Sequence, residues 1–378
     1  MDTKRNHGLD IFRLLCMVMI TVLHVNNQHF GLLGDDLSGR FVCGYFIEYL
    51  CFCGVNGFAM LSGFLMCGRE CTYDRRWFEK TVSLWLQLVL WGLLIYLAGI
   101  IVNAENFSGI AIQKYLLPAT SGTWWYMSAY FGLLMLLPPI SAGIDRMDGK
   151  GSAKCSLVLF VFFSVMTTFD QREGYLGIGE GYSTLWLIVC FFFGAMLRKN
   201  IQYITKMRYS LMSASAAAIV SVIFPFVFHI AGTFYHWRNV SMFFRYTSPF
   251  CVLEAAALLV ICSRIEIRRP MMEKMIGLLS ANSLGIYLFQ NHPIIWNNIV
   301  WTRCPAQLPA GELLWRFPLI VIILLICGLL CNAVIRSIYE KSRLAALPGL
   351  LWSVLMAMPS VFAKIKAKAT SSFRARRP

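Results

Sequence analysis

An imidazole and a guanidinium lie on one face of the first apolar segment, residues 8–24. Arg13 and His24 are eleven residues apart. On an α-helix that is about 20° past three turns, so both side chains share a face, roughly 16 Å apart along the axis. Asp10 joins this face three residues before Arg13, a workable ion-pair spacing. An imidazole can take up a proton near pH 7, and a guanidinium can hold an anionic group. Ionisable groups at membrane depth usually face a cavity or a partner. The plainer reading is a packing histidine bonded to a neighbouring helix, with Arg13 snorkelling to headgroups.

The elements that must position these groups are membrane helices. Of the 378 residues, 58% are hydrophobic and 14% charged, against roughly 45–50% and about 25% in a soluble domain. Mean hydropathy is +0.62. Apolar runs long enough to cross a core of roughly 30 Å fall near 8–29, 44–67, 82–102, 123–141, 155–169, 183–197, 210–231, 247–263, 280–300 and 314–335. The fold class is therefore all-α, a polytopic membrane helix bundle of about ten transmembrane helices. Arg13 and His24 inside the first run, with no small-residue cleavage site after it, mark a retained span rather than a signal peptide.

The formal net charge of +15 is gathered in short clusters between the runs. With the N-terminus cytoplasmic, 27 of the 34 Lys and Arg fall on the cytoplasmic side, as the positive-inside rule requires. That pattern disfavours nucleic acid as a partner and names the lipid bilayer instead. Residues 1–343 read as one membrane-embedded domain. Residues 344–378 read as an interfacial segment with a basic cytoplasmic tail. Within it the run 347–363 contains Pro348 and Pro359 and is expected to lie at the cytoplasmic surface; an eleventh span is the alternative. The thirteen Cys form neither a disulfide framework nor a zinc spacing, so no metal site is expected. No internal repeat and no appended soluble catalytic domain is visible. His7, His29, His229 and His236 lie at ends or in loops and receive no role.

Several further motifs follow the Arg-x10-His pair in order. They are YLCFCGVNGFAMLSGFL at 49–65, RRWFEKTVSLWLQ at 75–87, LPATSGTWWYMSAYFGL at 117–133, GYSTLWL at 181–187, RYTSP at 245–249 and SLGIYLFQNHP at 283–293. This collinear set resembles the integral-membrane acyltransferase family three, the O-acyltransferases of surface polysaccharides, over roughly residues 5–340. It looks closest to a branch with capsular and exopolysaccharide acetyltransferases and the membrane half of a glycopeptide-resistance racemase.

The resemblance implies transfer of an acyl group, most simply acetyl, from acyl-CoA on the cytoplasmic side to a hydroxyl of a cell-envelope glycan, in a bacterial inner membrane. Acetyl-CoA would be a co-substrate, with no permanently bound cofactor. An alcohol attacking a thioester needs a base, which makes His24 the candidate; it could instead carry the group as acyl-imidazole. Arg13 would position the donor. Arg69, Arg75, Arg76 and Lys80 would collect CoA phosphates, or simply anchor the loop. The family's arginine-rich run at this point is incomplete here.

Asn56 is a candidate donor to the thioester carbonyl. Ser62 either takes part in binding or satisfies its own backbone. Trp124, Trp125, Tyr126 and Tyr130 could stack on a sugar or form an interfacial belt, and Arg245 sits near the outer mouth. Glu254 is expected to pair with a buried Arg. In the ninth span Tyr287 matches the family pattern, but Gln290 stands where a His is common. Either Gln290 replaces it as a binding residue, or His292 substitutes from two positions away, or activity is altered. The rival readings are a transporter of a small solute such as an amino acid, and a polysaccharide polymerase or flippase.

Overall fold

The computed structural model describes residues 5–26, 37–101, 109–170, 176–295 and 310–358. Among these residues the regular structure is helical throughout. The helices are α1 His7–His24, α2 Gly39–Cys51, α3 Gly54–Met66, α4 Arg75–Ile101, α5 Gly109–Leu116, α6 Trp125–Asp145 and α7 Gly149–Phe160. A π-helical stretch, Val161–Met166, joins α7 to α8 Thr167–Asp170. Then come α9 Thr184–Lys206, α10 Ser210–Phe234, α11 Pro249–Ser263, α12 Pro270–Asn282, α13 Leu284–Gln290, α14 Pro293–Ile295 and α15 Ala310–Lys341. The last apolar helix, α16, is Arg343–Met358.

Among the described residues, eight helical segments are long and apolar enough to cross a membrane, and α2 with α3 counts as one of them, Gly39–Met66. The expected eighth run is the shorter α11. The expected ninth, 280–300, is not a single helix: the chain breaks at Ser283, restarts as α13 and ends before Pro293. Proline clashes with a helical residue ahead of it, so His292 leaves the helix. The remainder of that run lies outside the described residues. The third span starts earlier than its apolar core, because the basic stretch from Arg75 already forms its first turns.

Side-chain caps mark several starts. The Asn6 amide oxygen accepts from Gly8 N at 2.9 Å, Ser183 Oγ from Trp186 N at 3.2 Å, and Asp148 Oδ1 from Gly151 N at 2.7 Å. Pro249 and Pro270 open α11 and α12, where a missing N–H costs nothing. Apolar side chains remain outside, with Ile219, Val220, Ile223 and Val227 exposed along α10 and Leu330 on α15. In a bilayer that surface meets lipid rather than water.

The centre is built on α1, α3, α9 and α11. Helices α3 and α9 touch backbone to backbone, because a Cβ on Gly63 would sit 1.8 Å from the Phe191 carbonyl oxygen and one on Gly194 1.8 Å from that of Met60. Small residues allow such approach. One end of the bundle is tied by basic and amide side chains. Asn6 Nδ2 donates to Ser263 O at 2.8 Å, Arg264 to Ser210 Oγ at 2.7 Å and Thr205 O at 3.1 Å, and Lys199 Nζ to Met147 O. Helix α16 lies against the start of α4, with Trp352 and Phe78 rings 5.3 Å apart. The basic tail lies outside the described residues.

Candidate active site

Helix α1 carries the polar stripe at its N-terminal end. Asp10 is buried and accepts from Arg5 at 2.7 and 2.9 Å and from Ser280 Oγ at 2.9 Å. Arg13 Nη1 donates to Ser280 Oγ at 2.7 Å and reaches Asp10 at 3.3 Å. Arg13 is thus fixed between α1 and α12 rather than extended to headgroups. Above it Tyr130 stacks on Tyr126 at 6.2 Å, and Tyr126 begins the floor of a cavity.

That cavity has a volume of about 230 Å³ and takes in Met17, Ile20 and His24 of α1, a depth of roughly 10 Å at the helical rise. Phe52, Trp125, Tyr182 and Tyr246 wall it. Phe52 stacks on Tyr246 at 4.3 Å, Trp125 lies 4.5 Å from Tyr182, and Tyr182 meets Tyr246 edge-on at 5.1 Å. Gly181 makes this wall feasible: its φ is +103°, and a Cβ there would lie 2.4 Å from Tyr246 Cβ. Across the cavity are Tyr287 and Asn291, and the Tyr287 hydroxyl accepts the Tyr126 N–H at 3.2 Å.

Gln290, fully buried, stands behind His24. Its side-chain amide lies against the imidazole. Glu48, 1% exposed, is the one carboxyl lining the cavity among the described residues. It accepts from Asn26 Nδ2 at 2.7 Å.

A family profile described as an acyltransferase domain matches residues 6–336. The chain belongs to the acyltransferase 3 family. The match takes in every residue that lines the cavity. Comparison with curated proteins and with solved structures gave no match. The protein is a multi-pass membrane acyltransferase.

The acyltransferase brings His24, Tyr126 and Tyr287 to one cavity, with Gln290 directly behind it. Other residues singled out in the sequence lie elsewhere. Asn56 is saturated: Nδ2 donates to Tyr246 O at 2.7 Å, and Oδ1 accepts from Trp186 Nε1 at 2.9 Å. It is a knot between α3, α9 and the start of α11, not a donor into the cavity. Ser62 Oγ returns to its own helix at Phe58 O, 3.1 Å away. Trp124 is fully buried and donates to Leu288 O at 3.1 Å, so no sugar can stack on it; its neighbour Trp125 lines the cavity instead.

His292 stacks on Tyr115 at 5.3 Å, with Trp124 at 5.8 Å, and its Nδ1 accepts from Ile294 N. It does not line the cavity. Arg245 turns to Glu180 at 3.6 Å. Glu254 does not meet an Arg; its carboxyl sits against the Cys53 thiol. Arg69, Arg75, Arg76 and Lys80 are exposed at the start of α4 and the loop before it, with Arg75 paired to Glu79 at 2.7 Å. The residue that sequence reasoning passed over is Glu48. A charged residue in an otherwise apolar run was the available signal.

Proposed function

We propose that this acyltransferase moves an acetyl group from acetyl-CoA, approaching from the cytoplasm, to a hydroxyl of a cell-envelope glycan in a bacterial inner membrane. The observation that carries the reading is that His24 lines an aromatic-walled cavity inside the helix bundle. An imidazole that only filled a packing gap would have no such space beside it.

In this mechanism the acceptor hydroxyl attacks the thioester carbonyl, and His24 takes its proton. The tetrahedral intermediate collapses by breaking the C–S bond, and the proton passes to the departing CoA thiolate. Gln290 holds the imidazole in one orientation. It cannot itself shuttle a proton, so proton transfer rests on His24 alone. Tyr287, which faces the cavity, donates its hydroxyl to the developing oxyanion. Arg13, fixed by Asp10 and Ser280 below the cavity floor, holds an anionic part of the donor. The exposed Arg69, Arg76 and Lys80 raise the local donor concentration.

The test is consumption of acetyl-CoA by purified protein with extracted envelope glycan. The variant His24→Ala is expected to lose at least about a hundredfold in kcat, the usual range for a removed general base. Undiminished turnover would remove the mechanism. Solute uptake by vesicles lacking any acyl donor would favour a transporter instead.

A further inference from the structure

Glu48 takes no part in the transfer step as described, yet it is held with care. Asn26, which grips it, stands two residues beyond His24, is itself fully buried, and also donates to the Gly44 carbonyl at 3.0 Å. The base and the carboxyl are therefore tied to the same stretch of chain. That hydrogen bond uses one carboxyl oxygen of Glu48. No Lys or Arg lines the cavity or forms an ion pair with Glu48 among the described residues. The titratable groups around it are the Tyr182 and Tyr246 hydroxyls and the Cys51 thiol, with the His24 imidazole on the same cavity lining.

A carboxyl at membrane depth with no cation is costly and marks a functional position. Next to it stands the aromatic wall of Phe52, Trp125, Tyr182 and Tyr246, and the lining also holds Asn291, whose carboxamide lies against the Tyr287 hydroxyl. A hydroxyl both donates and accepts, so it suits a carboxyl on one side and a carboxamide on the other. The C–H face of a ring suits the aromatic wall. The volume of about 230 Å³ is below the roughly 300–1,000 Å³ of sites for drug-sized ligands, which limits the occupant to one small ring.

We infer that Glu48 reads a second hydroxyl on the acceptor, neighbouring the one that attacks. The site thereby selects a diol-bearing ring over a simple alcohol and brings the attacking oxygen to His24. This inference rests on the acyl-transfer reading above. A site built to bond a hydroxyl rejects the analogue lacking it by up to roughly ten-thousandfold, so the preference is measurable.

The experiment uses the full chain with acetyl-CoA and follows free CoA thiol and acetyl ester in the same reaction. Glycerol and 1-propanol serve as small acceptors, and extracted envelope glycan as the large one. The wild type is expected to favour glycerol over 1-propanol by at least about tenfold. Glu48→Gln keeps a carbonyl for Asn26 to bond, so the fold is retained. It is expected to weaken that preference severalfold, because a neutral amide bonds the hydroxyl less strongly than an ionised acceptor, and to raise KM for glycan at least about tenfold, with ester formed per CoA released falling by a similar factor. Glu48→Asp is expected to restore part of the preference. An unchanged preference in Glu48→Gln overturns the inference, as does a parallel fall of ester and thiol with a lowered melting temperature, which is the mark of a structural role. A preference for ethanolamine over glycerol that Glu48→Gln removes would assign the carboxyl to a cation and also overturn it. A wild type that releases no CoA and forms no ester fails the acyl-transfer reading itself.

Discussion

At the scale of single residues, the imidazole of His24 depends on what stands behind it. Gln290 offers an amide there, which can orient a ring but adds no charge to stabilise a protonated one. Gln290→Ala is therefore expected to lower kcat about tenfold, or about 1.4 kcal/mol of transition-state stabilisation, while leaving KM for acetyl-CoA unchanged. Steady-state kinetics at saturating acceptor checks this, and a change confined to KM would show that the amide binds donor instead. The Arg13–His24 pair was legible in the sequence because a single helix fixes the angle between them. The engagement of Asn56 is not legible in the sequence, because its partner Trp186 lies 130 positions away and no local pattern shows that its amide is already bonded. Trp124 and Trp125 have the same side chain and adjacent positions. Only the orientation of α6 decides that one is core and the other cavity wall.

At the scale of elements, the crossing of α3 and α9 is a backbone-to-backbone contact. Gly63→Val would drive a branched side chain into the Phe191 carbonyl, which a Cβ alone already meets at 1.8 Å. Helix separation of this kind is expected to abolish folded protein, read as loss of the monodisperse peak in detergent. Asn56→Ala orphans the buried Trp186 N–H and should cost about 1–3 kcal/mol of stability, seen as a lowered thermal transition with the aggregate-free fold preserved. The positions of most helices were legible from apolar run length. The break at Ser283 was not, since the run 280–300 stays apolar through it. A serine that hydrogen-bonds Ser280 O at 2.9 Å competes with the helix only in its tertiary setting.

For the whole molecule, charge asymmetry and topology agree. The ties through Asn6, Arg264 and Lys199 collect the N-terminus of α1 and the α6–α7, α9–α10 and α11–α12 connections at one end, the end that the positive-inside pattern assigns to the cytoplasm. With α16 lying along the start of α4, a reporter fused after Pro378 is expected to read cytoplasmic; an external reading would make α16 a span.

The glycine seam between α3 and α9 has a mechanical consequence. Two helices locked backbone to backbone, and knotted by Asn56 to the segment before α11, move as one slab. Any breathing that admits a ring is then left to the flank formed by Glu48 and Phe52 at the end of α2 and Leu284 and Tyr287 of α13, which also line the cavity. A chemical staple spanning that flank should stall turnover, while one set along the slab should leave the catalytic cycle running.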